Sequence, residues 1–126
     1  MTGERILVVE DNEKNMKLFR DVLGSSGYRT LEATTGLEAV DMASEHVPDL
    51  VLMDIQMPGL DGVEALHRLR ADERTATIPV LALTAQAMHG DRERFLAAGF
   101  DGYLSKPVDV RQLIETVREH CDRSAR

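Results

Sequence analysis

Short apolar runs alternate along the chain with longer stretches whose apolar residues recur at helical spacing. Ile6–Val9, Leu50–Met53 and Val80–Leu83 are continuously apolar, the pattern of strands covered on both faces and therefore central in a parallel sheet. Tyr28–Ala33 carries Arg29, Thr30 and Glu32, and a run at about Gly102–Leu104 is very short; both read as edge strands.

The intervening stretches read as helices. The first spans about Glu13–Leu23, with Met16, Phe19 and Leu23 on one stripe, Leu18 and Val22 beside it, and Gly24 and Gly27 closing it. Thr35 followed by Glu38 has the form of a capping box and opens a helix carrying Leu37, Val40 and Val47, which Pro48 stops. Asp61 with Glu64 precedes Val63, Leu66 and Leu69, and Asp109 precedes Val110, Leu113, Ile114 and Val117. A fourth helix, about Ala85–Ala98, has a thin stripe of Met88, Phe95 and Leu96 and is interrupted by Gly90. Tertiary contacts must hold it more than local propensity does, and it is expected to be mobile. Five such βα units predict an α/β fold with helices on both faces of a parallel sheet.

The five units use nearly all of the 126 residues, so one domain over 1–126 is expected, with no output domain. No apolar run approaches the roughly 20 residues needed to span a bilayer, and no basic segment leads into a signal-peptide stretch; a cytoplasmic location and no membrane association follow as expectations. A net charge of −7 opposes direct nucleic-acid binding. Cys121 falls four residues after Val117 on the apolar face of the last helix, where packing is the expected role. His46, His67, His89 and His120 lack metal-ligand spacing and read as surface residues.

Ligands of such sheets gather beyond the carboxyl ends of the strands. There the sequence places Glu10 and Asp11 after strand one, Asp54 after strand three, Thr84 after strand four, and Ser105 and Lys106 after strand five. One acidic residue after a strand is routine as a helix cap or loop residue. Three carboxylates in one cleft repel, and an all-oxygen group of this kind suits Mg2+. A carboxylate can attack phosphorus if the charge on the moving phosphoryl group is stabilised. Lys106 would neutralise one phosphoryl oxygen and the Thr84 hydroxyl would donate to another.

The runs ILVVEDN, PDLVLMDIQMPGLDG, IPVLALTA and GYLSKP resemble, in order and separation, the bacterial two-component response-regulator receiver family across residues 4 to about 120. The resemblance implies a flavodoxin-like five-stranded parallel sheet of order 2-1-3-4-5. It implies that Asp54 is the phosphoacceptor, that Glu10, Asp11, Asp54 and the backbone carbonyl of Gln56 hold Mg2+, and that Thr84 and Lys106 are the switch hydroxyl and phosphate anchor. It further implies a cis peptide bond before Pro107 and a switch role for Tyr103, which as an edge-strand tyrosine would otherwise be a packing residue. Ala85 would leave the phosphoryl site open, and Gln56 and Gln86 would tune the lifetime of the phosphorylated state, their plainer reading being solvated loop residues.

The implied donor is a histidine kinase or a histidine phosphotransfer protein docking beside the first helix. The implied output is a protein target on the face of helix four, strand five and helix five, with the chain a monomer or a weak phosphorylation-dependent dimer. The stretch ALTAQAMHGDRERFLAAG is similar to receivers of hybrid kinases and of stand-alone cell-cycle or phosphorelay regulators. On this reading the chain catalyses its own phosphorylation and dephosphorylation and is not an enzyme acting on a metabolite. The haloacid-dehalogenase-like phosphohydrolases need a second aspartate two residues after the first, where this chain has Gln56. A flavodoxin-like cofactor binder needs a loop of small residues after strand one, where this chain has Glu10, Asp11, Asn12 and Glu13. The remaining alternative is a receiver that works as a phosphorylation-independent adaptor.

Overall fold

In a computed structural model of the chain, residues 3–55, 62–85 and 91–124 are described. The order is β1 (Arg5–Val9), α1 (Glu13–Ser25), β2 (Arg29–Ala33), α2 (Gly36–His46), β3 (Leu50–Asp54), α3 (Gly62–Ala71), β4 (Val80–Thr84), α4 (Asp91–Ala98), β5 (Gly102–Ser105) and α5 (Val110–Ser124). The strands form one parallel sheet of order β2-β1-β3-β4-β5. The continuous apolar runs are the three inner strands, and the two mixed or short runs are the edges.

Because side chains alternate across a strand, the sheet divides the core in two. Ile6 and Val8 of β1, Leu50 and Leu52 of β3, and Leu81 and Leu83 of β4 pack with Phe19 and Leu23 of α1 and Leu113, Val117 and Cys121 of α5. Leu7, Val9, Val51, Met53, Val80 and Ala82 face α2, α3 and α4. Cys121 is buried among apolar groups.

Local chemistry sets the helix ends. Asn12 caps α1, accepting from the Asn15 amide at 3.1 Å. Thr35 caps α2, accepting from the Glu38 amide at 3.1 Å, while the Glu38 carboxylate reaches back to the amide of Thr34. Asp109 caps α5 by accepting from the Arg111 amide at 2.9 Å. Asp61, Met88, His89 and Gly90 lie outside the described residues, so the expected first cap of α3 and the first half of the expected fourth helix do too.

Two expectations are corrected. The buried stripe of α2 is Gly36, Ala39 and Ala43, with Leu37 56% exposed and Val47 also exposed. Val47 ends the helix in the left-handed region. The helix meets the core through these small residues with Val40 and Met42 packed beside them, and Leu37 and Val47 are turned outward. His120 is not a surface residue: it is 7% exposed, its Nδ1 lies 2.9 Å from the Thr116 carbonyl oxygen, and its ring sits beside Gly102 of β5. His46 is half-buried, His67 is exposed and His89 is outside the described residues.

Candidate functional site

The sheet register brings the polar strand ends together. Val9 pairs with Met53 and Asp54 with Leu83, so Glu10, Asp54 and Thr84 leave three adjacent strands at one edge. Thr84 pairs with Ser105, and the Lys106 amide donates to the Thr84 carbonyl at 2.8 Å. That bond starts the lysine back toward the inner strands. The Lys106–Pro107 peptide bond is cis.

Glu10 and Asp54 are 1% and 2% exposed, and Thr84 is fully buried. Asp11 is exposed at the mouth, and Ala85 is exposed after β4. One carboxylate oxygen from each of Glu10, Asp11 and Asp54 lies within 4.8 Å of the others. Lys106 Nζ lies 2.8 Å from Asp54 Oδ2 and 2.8 Å from Glu10 Oε1. Its bond to Asp54 is an aligned hydrogen bond, whereas buried Glu10 Oε1 has no aligned donor and meets the lysine as an ion pair alone. Gln56 and Gln86 lie outside the described residues.

The electrostatics follow from burial. Desolvation raises the Glu10 carboxyl above its ordinary value, with Lys106 opposing the rise and Asp54 adding to it. For Lys106 desolvation acts downward, but the hydrogen bond to Asp54 and the negative charges of Asp54 and Glu10 outweigh it, and the ammonium is held above its usual range. Two buried carboxylates thus share one cation, with the Asp11 carboxylate beside them. A buried oxygen with no aligned donor, inside an all-carboxylate set, fits a small hard divalent ion.

A second region lies on the α4 side of β5. Tyr103 pairs with Ala82 and is half-buried, its ring 5.7 Å from that of Phe95. Phe95 meets Phe100 edge-on at 6.2 Å and carries the Arg94 guanidinium over its face at 5.2 Å. A groove of about 400 Å3, lined by Tyr103, Leu96, Gln112, Thr116 and His120 among others, runs here. The burial of His120 had a signal in the sequence, since it falls three residues after Val117 and seven after Leu113 on the apolar stripe of α5.

A family model described as the response regulator receiver domain matches residues 6–118. The polar-differentiation response regulator DivK of Brucella ovis is 51% identical over 115 residues, which is 91% of this chain and 94% of that protein. Among solved structures, the receiver domain of sensor histidine kinase PA1611 from Pseudomonas aeruginosa superposes with a TM-score of 0.88 at 39% identity, covering 96% of this chain and 99% of that one. That structure has a magnesium ion coordinated in its active-site cleft. Chemotaxis protein CheY4 of Vibrio cholerae superposes with a TM-score of 0.87 at 25% identity, covering 94% and 98% of the two chains.

Proposed function

The chain belongs to the response regulator receiver domain family, and on that premise we propose that it is a phosphoacceptor signalling module whose Asp54 takes a phosphoryl group from a phosphohistidine. The observation that carries this reading is the gathering of the Glu10, Asp11 and Asp54 carboxylates at one cleft, with Lys106 paired to buried Glu10 and Asp54. Asp54 attacks phosphorus; the O–P bond forms as the N–P bond of the donor breaks, and the donor imidazole leaves with the bonding electrons. Glu10, Asp11 and Asp54, with the Gln56 carbonyl, are the residues that would hold Mg2+, whose chemistry is to neutralise charge on the phosphoryl oxygens.

The remaining steps belong to the chain itself. Lys106 donates to Asp54 through one aligned hydrogen bond and is placed to follow its charge onto the phosphoryl group. The Thr84 hydroxyl, one residue beyond the partner of Asp54 on β4, is the donor for a second phosphoryl oxygen. Its movement toward the phosphoryl group vacates space for Tyr103 to turn inward, changing the face of α4, β5 and α5. Ala85 leaves the approach open, and Gln56 and Gln86 set how readily water attacks the acyl phosphate. The donor is a histidine kinase or phosphotransfer protein and the receiver of the signal is another protein, in the cytoplasm. No helix among the described residues is long and apolar enough to cross a membrane.

Incubation with acetyl phosphate and magnesium tests the reading. The intact mass should rise by one phosphoryl group, and Asp54→Asn should abolish the rise. No adduct on the unaltered chain, with partner binding intact, would leave a phosphorylation-independent adaptor.

A further inference from the structure

We propose that Gly62 is a positioning residue for Asp54, an inference that rests on Asp54 being the phosphoacceptor. Gly62 is buried at the first position of α3. A Cβ at this position would lie 2.7 Å from Ile55 Cα, 2.9 Å from the Asp54 carbonyl oxygen and 3.1 Å from Ile55 Cγ2. The two nearest atoms are backbone, which has no side-chain torsion through which to move aside.

The reason for glycine here is therefore space. Gly62 is not among the glycines with positive φ, which in the described residues are Gly3, Gly27 and Gly99, so its backbone conformation is open to any residue. A glycine in a helix is also less favourable than alanine by about 1 kcal/mol. Gly24 in α1 makes the contrast: a Cβ there would meet nothing within 4 Å.

The close approach holds the peptide after the acceptor between two elements. On one side α3 rests on it through Gly62; on the other the Ile55 amide donates to the Leu83 carbonyl of β4 at 3.2 Å. Restoring an ordinary 3.4 Å contact around an added methyl requires a movement of about 0.7 Å by α3 or by the Asp54–Ile55 peptide. Misplacement by about 1 Å costs a reaction of this kind on the order of a hundredfold. The Asp54 carboxylate is fixed at 2.8 Å from Lys106 and within 4.8 Å of oxygens from Glu10 and Asp11, so such a shift disturbs the attacking group and its carboxylate cluster together.

The test compares Gly62→Ala and Gly24→Ala with the unaltered chain. Phosphorylation by acetyl phosphate is followed by intact mass, and the rise in Tm on adding magnesium is measured separately. Gly62→Ala should accept the phosphoryl group about tenfold more slowly and show a smaller magnesium-dependent rise in Tm, while Gly24→Ala matches the unaltered chain in both. A folded Gly62→Ala protein that is phosphorylated within twofold of the unaltered rate overturns the proposal, whatever its Tm. Should Gly62→Ala fail to fold, trimethylamine N-oxide restores the compact state, and a normal rate there overturns it equally. If the unaltered chain accepts no phosphoryl group, it is the Asp54 reading that fails. Gly62 is then judged on magnesium alone, and an unchanged rise in Tm ends its positioning role.

Discussion

At the carboxyl ends of β1 and β3, Glu10 and Asp54 are buried and share the ammonium of Lys106, whereas on the face of α4, β5 and α5 Tyr103 is only half-buried and Leu96 is exposed. Asp54 and Lys106 come from strand ends fixed by backbone pairing to their neighbours. Tyr103 sits on an edge strand, covered on one side by an eight-residue helix that buries Phe95 and leaves Leu96 exposed. On the proposed function the contrast separates two tasks. Phosphoryl transfer needs atoms held to within fractions of an ångström, while a switch needs side chains that exchange places at a cost of a few kcal/mol, drawn from the less stable parts of a fold.

The strongest way to break this contrast is to remove the lysine. Lys106→Ala leaves Glu10 and Asp54 buried without their shared cation. Stability without metal should fall by roughly 3 kcal/mol, read by urea denaturation, and phosphorylation by acetyl phosphate should slow on the order of a hundredfold. If both changes are small, the cleft is not organised by charge.

A pH series sharpens the same point without mutation. Because burial raises the Glu10 carboxyl above its unfolded value of 4.5, the folded chain holds that proton more tightly than the unfolded chain does. Stability from this group therefore falls as pH rises from about 4.5 through the folded value, and the penalty is fully present above it. Lys106 has the opposite limb: its raised value gives stability that is present below its unfolded 10.5 and is lost as pH rises through the folded value. Urea midpoints between pH 5 and 7.5 in EDTA should decline through Glu10, and magnesium should remove the decline. An identical slope with and without magnesium would mean that Glu10 does not face the ion.

The two regions also differ in how legible they were. Inner strands covered on both faces write themselves as unbroken apolar runs, so β1, β3 and β4 differ from expectation by one residue at an end, and with them the positions of Glu10, Asp54 and Thr84. What pattern reading misses is packing by small residues. Ala39 and Ala43 carry too little hydrophobicity to mark the buried face of α2, so the larger Leu37 and Val47 suggested the wrong stripe. His120 is hidden for the complementary reason: its place three residues after Val117 puts it on the buried stripe, but a polar ring stays there only because a backbone carbonyl accepts its proton and its neighbour is a glycine, which residue type does not show. The close approach at Gly62 has no hydropathic signature at all.

On the switch side a smaller effect is expected. Tyr103→Ala removes a half-buried ring from its contact with Phe95, which should cost about 1 kcal/mol and leave the rate of phosphorylation within about twofold. Binding of the unphosphorylated and phosphorylated forms to a partner protein should then differ less than before. A large loss of phosphoryl acceptance would show that the two regions are one rigid unit, and the division between them would fail.

The smallest effect is expected from an ion pair that belongs to neither region. Arg20 of α1 grips Glu32 of β2 with two nitrogens, Nη2 at 2.9 Å from Oε1, yet the two side chains are 40% and 35% exposed. The Arg20 hydrogen bond holds the Glu32 carboxyl below its ordinary value against the opposing effect of burial. Its sign is thus the reverse of Glu10: the stability it gives is present above the unfolded value of 4.5 and is lost as pH falls through the folded one. Because water and salt screen the pair, Glu32→Gln should move the urea midpoint at pH 7 by a small fraction of the Lys106→Ala shift, and 0.5 M salt should erase the difference. Lys106→Ala should keep most of its effect in the same salt, since a buried charge is screened far less than an exposed one. Equal sensitivity of the two variants to salt would place the cleft lysine in solvent and remove the basis for reading its carboxylates as a preorganised site.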